Sequence, residues 1–337
     1  MATAGLILVP PATSSGMIFN GSRKLIMKRI DRSLSTAAPA RYYLTEPVAS
    51  VSQGESFIIE AGTCGRPVIN SRDDVRPDDF WARRETGPVY VEGIKKGDMI
   101  RIRIEDIQVV GHATGETWTD RQGEGGGVAR KEVDFIEIKG DRAYMPCGLW
   151  APVEPMIGVI YVTPNIPEGD MVMDGDVGDT GHNMDYRDIC AGHSICLKAR
   201  HDGALIGLGD LHAVQGWGEW ATVGAECAGD VTITVTKEEK WESDRPVILK
   251  PDSFVCIASR NTYGDAVLLA LNDAARQVAR ITGVPLADAL RYVRLIAHIM
   301  NGQNWHLARP MDKWRYTSMP VTVGAEVDLR GLRDYAT

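Results

Sequence analysis

Gly97-Asp98-Met99-Ile100-Arg101-Ile102-Arg103-Ile104-Glu105 alternates apolar and polar residues with a period of two. Ile100, Ile102 and Ile104 share one face, and Arg101 and Arg103 the other, which is the pattern of a half-buried antiparallel strand. Val231-Thr232-Ile233-Thr234-Val235-Thr236 repeats it with β-branched residues throughout. Less pure strand candidates lie at 56–60, 89–91, 134–138, 158–162, 194–198 and 204–207. Gly, Pro, Asn and Asp clusters separate them, as turns between strands require. Several short strands without intervening helices predict a mainly β fold, a sandwich or barrel.

The period changes after about residue 262. Val267, Leu271, Ala274, Val278 and Ile281 step by four, three, four and three, the stripe of an amphipathic helix. Gly283 stands where a left-handed cap ends such a helix, and Pro285 cannot continue it. Leu286, Leu290, Val293, Ala297 and Met300 mark a second helix that stops at Asn301-Gly302. Both helices read as scaffold with solvated polar faces. The expected organisation is an N-terminal extension over 1–50, a β-rich domain over 51–240 and an α+β region over 241–337.

A chain of 337 residues fits about two domains. With 37 Lys+Arg against 45 Asp+Glu, the formal charge is −8 and no basic stripe offers itself to phosphate, which excludes a nucleic-acid partner. No apolar run reaches the ~18 residues of a membrane span. Residues 1–11 are apolar but lack the positive start of a secretory signal, and Cys64, Cys147, Cys190, Cys196, Cys227 and Cys256 show no C-x-x-C spacing. Buried thiols in a cytoplasmic protein are the expectation. The run Gly123-Glu124-Gly125-Gly126-Gly127 lacks the Lys-Ser/Thr of a phosphate loop and reads as a flexible loop.

Polar residues bunch in two stretches, Gly181-His182-Asn183-Met184-Asp185-Tyr186-Arg187-Asp188 and Gly209-Asp210-Leu211-His212-Ala213-Val214-Gln215-Gly216-Trp217-Gly218-Glu219. On a strand, Asp210 and His212 point to one face, and Asn183, Asp185 and Arg187 do likewise on theirs. Carboxylates and an imidazole on a shared face are the ligand set of a divalent metal. Gly216 and Gly218 allow a bend that returns Glu219 to the same pocket. The competing reading is a glycine-rich surface loop with scattered polar groups. Against it, Ala204-Leu205-Ile206 and Ala221-Thr222-Val223 flank the second stretch with apolar residues, among which polar groups must be paired or coordinated.

The same stretches resemble the acetamidase/formamidase family. Its members carry Gly-Gly-Asn-Met-Asp, Arg-Asp, Gly-Ala-Leu and Gly-Asp-x-His-Ala-x-Gln-Gly-x-Gly-Glu. This chain has Asn183-Met184-Asp185, Arg187-Asp188, Gly203-Ala204-Leu205 and the run from Gly209 to Glu219. Thr86-Gly87-Pro88-Val89-Tyr90-Val91-Glu92-Gly93, Gly97-Asp98 and Pro155-Met156-Ile157-Gly158-Val159-Ile160 extend the likeness, which runs in order over about residues 50 to 325. His182 departs from the family's usual Gly, Trp217 from its usual Asp, and Trp220 from a smaller residue. The segment 112–131 also differs and reads equally as a lid or as an insertion.

The resemblance implies a mostly β N-terminal part, an α+β C-terminal part, and hydrolysis of a C–N amide bond with release of ammonia or an amine. The expected metal ligands are Asp185, Asp210 and His212, holding zinc or alternatively calcium. Glu219 is the expected general base, with Asp210 and His212 also counted as catalytic. The ligand and base roles of Asp210 and Glu219 remain exchangeable. Asn183, Gln215 and Trp217 are the expected substrate-binding residues, and Trp217 opens the alternative of a lactam substrate. A non-catalytic β-sandwich that binds metal or a small ligand is the remaining alternative. His112, His193 and His201 read as surface residues, His298 and His306 as structural residues flanking the second helix. The stretch 301–306, with Trp305, reads as capable of lining a pocket. A homo-oligomer, dimer or higher, is expected, as among many soluble enzymes.

Overall fold

Ile100, Ile102 and Ile104 are fully buried in the computed structural model, whereas Arg101 is half-buried and Arg103 exposed. They open a 21-residue strand, Met99–Thr119, that organises the molecule. Its first part pairs antiparallel with Ser194–Lys198, its length with Glu226–Lys237 and its far end with Arg130–Lys139. Through such branching, 17 strands among the described residues join in one sheet. The described residues are 27–34, 41–42, 45–62, 68–75, 85–119, 130–165, 172–173, 178–219, 224–303 and 321–335. Expectations for residues 1–11, Cys64, the glycine run, Trp220, the 221–223 part of the apolar flank, Trp305 and His306 lie outside them.

The fold is mainly β with a C-terminal α+β part. Most expected strands lie within observed ones, Ser56–Ala61, Thr86–Val91, Met156–Val162 and Ser194–Lys198 among them. The strand expected from 204 starts only at Ile206, because Ala204 and Leu205 turn into the left-handed region at φ +60° and +56°. Segment 112–131 is no plain loop: residues 113–119 and 130–136 pair as a hairpin whose tip is not described.

The first helix, Tyr263–Thr282, is capped by the Thr262 hydroxyl, which accepts from the Asp265 N–H at 3.1 Å. It ends at Gly283, φ +73°, as the cap reading requires. Its buried face keeps Ala274 and Val278 of the expected stripe and otherwise shifts towards small residues. Ala266, Ala270 and Ala274 lie against the sheet, while Val267, Leu271 and Ile281 flank the contact. Small side chains bring the helix close, and the larger ones close its margins. The second helix, Leu286–Ile296, stops earlier than expected. Ala297 turns extended, and His298–Asn301 becomes a strand paired with Val321–Asp328. A stripe ending in Ala297 and Met300 overruns because a sheet edge captures its last residues.

The polar faces are not wholly solvated either. Asp273 is buried on the first helix, where Arg245 grips it through Nε and Nη2 (Nη2–Oδ1 2.8 Å) and Arg276 Nη1 adds a bond at 2.5 Å. Asp273→Ala strands the Arg245 guanidinium. It is expected to cost about 2 kcal/mol, less than the ~3–5 of a fully buried pair because Arg245 keeps some contact with water. A urea titration followed by tryptophan fluorescence measures it; a loss under about 0.5 kcal/mol contradicts it.

Of the cysteines, Cys196, Cys227 and Cys256 are buried thiols, Cys190 is half-buried and Cys147 is exposed, contrary to the uniform expectation. Among the described residues, no helix is long and apolar enough to cross a membrane.

Candidate active site

The strand Ile206–His212 is buried along its whole length. On one side it pairs with Met156–Val162, placing Met156 opposite His212 and Val159 opposite Gly209. On the other, His212 faces Glu226 at the start of Glu226–Lys237. Between these registers the ladder is interrupted at Asp210, whose φ of +55° swings it out of strand geometry. Gly158 lies beneath. A Cβ there would meet Asp185 Oδ1 at 2.6 Å, the Asp210 carbonyl at 2.8 Å and Asp210 Oδ2 at 3.1 Å. The missing side chain is what lets two carboxylates from different segments converge.

His212 is the hub. Its Nε2 lies 3.0 Å from Glu226 Oε1, 3.8 Å from Asp210 Oδ1 and 4.0 Å from Glu219 Oε1. Ligand atoms of Asp185, His212 and Glu219 fall within 4.8 Å of one another, as do those of Asp210, His212 and Glu226. Glu219 returns to the pocket through a turn in which its N–H donates to the Gly216 carbonyl at 3.3 Å, with Gly218 at φ +90°. Gly224 packs flat on the imidazole, since a Cβ would sit 2.6 Å from its Cγ.

A hydrogen-bond chain sets the imidazole's tautomer. The Asp185 carbonyl can only accept, so the amide group bonded to it at 2.6 Å must be the NH2 of Gln215. Gln215 Oε1 therefore faces His212 Nδ1, and Nδ1 carries the proton that it donates there. Nε2 of the neutral ring is left with its lone pair aimed at the carboxylates. This is how ligating histidines are commonly oriented by an outer partner. Both polar ends of Gln215 are thus engaged within the protein, by the imidazole and by the Asp185 carbonyl.

Asp185, Asp210, Glu219 and Glu226 are each under 5% exposed, around a single, fully buried imidazole. Burial favours the neutral ring, but Glu226 and Asp210 outweigh it and hold the imidazole's pKa well above its usual value. One imidazolium cannot balance four buried carboxylates. A divalent cation offsets twice the charge that an imidazolium does, and the mixed oxygen–nitrogen donor set fits one. Asp185, Asp210 and Glu219 also hold left-handed backbone, at φ +43°, +55° and +43°. Such conformations cost ~1–3 kcal/mol each and cluster where function demands them.

The other expected residues scatter. Residues 183, 185 and 187 share no strand, since Gly181–Asn183 ends there and Asp185 turns left-handed. Arg187 points away to Glu154. Asn183 is fully buried and neither atom of its amide group finds a hydrogen-bond partner among the described residues. Trp217 is half-buried, edge-on to the Tyr186 ring at 5.2 Å. His182, at φ +86°, takes a conformation natural to the glycine usual in the resembled family. It stacks on Tyr161 at 4.8 Å, and burial lowers its pKa to about 3. His112, His193 and His201 are half-buried, contrary to the surface reading, and bond to backbone at Ile138, Asp188 and Pro164.

Glu226 is the site residue that the sequence reading missed. Its signal was a single acid inside the apolar run Ala225-Glu226-Cys227-Ala228.

No protein-family model matches the chain, and no curated protein sequence does. Its fold matches solved structures. An acetamidase from Bacillus halodurans shares 27% identity at a TM-score of 0.75, over 92% of this chain and 100% of that one. A predicted acetamidase/formamidase from the thermophile Thermoanaerobacter tengcongensis shares 26% at 0.78, over 92% and 98%. A gamma lactamase from Delftia acidovorans shares 17% at 0.52, over 86% and 88%, a likeness of fold alone.

Proposed function

We propose that this chain, a member of the acetamidase/formamidase family, hydrolyses the C–N bond of small amides with the help of a divalent cation held around His212. The observation that carries the reading is the meeting of buried Asp210, Glu219 and Glu226 within 4.0 Å of the Nε2 of one imidazole, with a carboxylate oxygen of Asp185 in ligand range of His212 and Glu219. Asp185, Asp210 and His212 are the proposed ligands, with Glu226 beside them. Zinc suits the imidazole better than calcium, which takes oxygen ligands. Such a cation, when bound, lowers the pKa of water and polarises a carbonyl oxygen.

The remaining work falls to the chain. Glu219, the farthest of the three measured carboxylates from Nε2, accepts a proton from the attacking water and returns it to the departing nitrogen. Gln215 holds the imidazole in register.

Glu219→Gln is the test. Ammonia release from acetamide or formamide is expected to fall by about 100-fold or more, with metal content unchanged by elemental analysis. Loss of both makes Glu219 a ligand and moves the base role to Asp210. Metal bound stoichiometrically by the wild type without turnover of any amide defeats the enzymatic reading.

A lactam substrate is the second reading. Trp217 places an apolar ring next to the turn that carries Glu219, a wall suited to a small ring. The gamma lactamase shares the fold. A panel of lactams against linear amides separates the two.

A further inference from the structure

The strand His298–Asn301 belongs to the helical half of the chain, yet the segment leaving it closes on the site. The Asn301 carbonyl accepts the Gly218 N–H at 3.0 Å, and the Gln303 N–H donates to the Met184 carbonyl at 3.0 Å. Gly218 and Met184 immediately precede Glu219 and Asp185. One short segment therefore ties together the two loops that deliver these carboxylates. Gly302, between its two ends, lies against the Met184 carbonyl so closely that no Cβ fits.

Gln303 itself is fully buried, its carbonyl taken by the Thr322 N–H at 3.0 Å. Its side-chain amide is different: neither Oε1 nor Nε2 has a hydrogen-bond partner among the described residues. The amide of Asn183, next to Met184, is equally unsatisfied. An enclosed carboxamide with both its donor and its acceptor unpaired is unfavourable in a resting protein. The imbalance is resolved when a ligand brings an acceptor and a donor of its own.

We propose that Gln303 recognises the scissile amide and restricts the substrate to amides whose C=O and N–H lie on the same edge; this rests on the amidase reading above. A carboxamide presents C=O beside N–H. A second amide of the same form satisfies it through two parallel hydrogen bonds. Primary amides have that edge, and lactams have it because the ring holds the bond cis. Open-chain N-alkyl amides are trans, with N–H and C=O on opposite sides. N,N-dialkyl amides have no N–H to offer. Gln303 therefore admits primary amides and lactams and turns away N-alkyl amides.

The experiment compares the metal-loaded wild type with Gln303→Met and with Gln303→Glu, which keeps the shape but loses the donors. Substrates are acetamide, 2-pyrrolidinone and N-methylacetamide, read as ammonia, the opened amino acid and methylamine. The wild type is expected to prefer acetamide to N-methylacetamide by about 100-fold or more in kcat/KM, the scale of the cis penalty of a secondary amide. In both variants KM for acetamide rises by about 10-fold or more, kcat stays within about 3-fold, and metal content is unchanged. The preference over N-methylacetamide shrinks to within about 10-fold. Variants that keep the wild-type KM and preference overturn the assignment to Gln303 alone. So do variants that lose metal or thermal stability without a change in preference, since that marks a structural role. A wild type that binds metal but turns over none of the three overturns the amidase reading, and this inference with it.

Discussion

His212→Ala should remove the bound metal and nearly all turnover together. Among the described residues, the imidazole is the one vertex shared by the two possible ligand groups. Losing a Lewis acid worth several kcal/mol in the transition state lowers kcat/KM by about 10³- to 10⁴-fold. Elemental analysis should show the metal-to-protein ratio collapsing towards zero. A variant that keeps its metal would place the cation elsewhere and sink the site as described. The metal-free wild type offers a companion test. Glu226 and Asp210 raise the imidazole's pKa above its unfolded value of ~6.5, against the effect of burial. Their stabilisation is complete below about pH 6.5 and is lost as pH rises through the folded pKa. Loading metal must displace that proton, so calorimetry in two buffers of different ionisation enthalpy should register its release.

Gly158→Ala should be damaging too, although glycine has no chemistry of its own. The new methyl would lie 2.6 Å from Asp185 Oδ1 and 2.8 Å from the Asp210 carbonyl. Rotating a side chain relieves the first contact. The second is with backbone and forces the two strands apart. Displacing ligands by a fraction of an ångström to an ångström costs about 100-fold in rate, and the same shift weakens metal affinity. Gly216→Ala is the control, because a Cβ there meets nothing within 4 Å. Ammonia release should fall only in the first variant. Equal activity in both would show that the two carboxylates do not need their observed separation.

Much of this architecture was legible in the residues. Ile100, Ile102 and Ile104 alternate with arginines, and period two admits few other readings. The Gly283 cap was equally plain, since glycine meets φ +73° without a Cβ clash. The motif from Gly209 to Glu219 does bring Asp210, His212 and Glu219 together, but not by strand alternation. Asp210 reaches the pocket through a left-handed turn that no periodicity encodes. Glu226 was illegible because its meaning comes from the cross-strand partner His212, 14 residues away. The hydrogen bond from Gln215 to the Asp185 carbonyl was not legible either, because it joins segments 30 residues apart in the chain. The rotated face of the first helix escaped because alanine contributes little to an apolar stripe, yet decides how closely a helix can approach.

The left-handed residues have a consequence for anyone wishing to make the protein more robust. Asp185, Asp210 and Glu219 are among the left-handed positions where a glycine would relax the main chain, so a survey aimed at melting temperature alone would select them early. Each gain there would remove a side chain of the proposed site, trading longevity against turnover. Hardening should begin at the far side of the helices and leave these three tense corners alone.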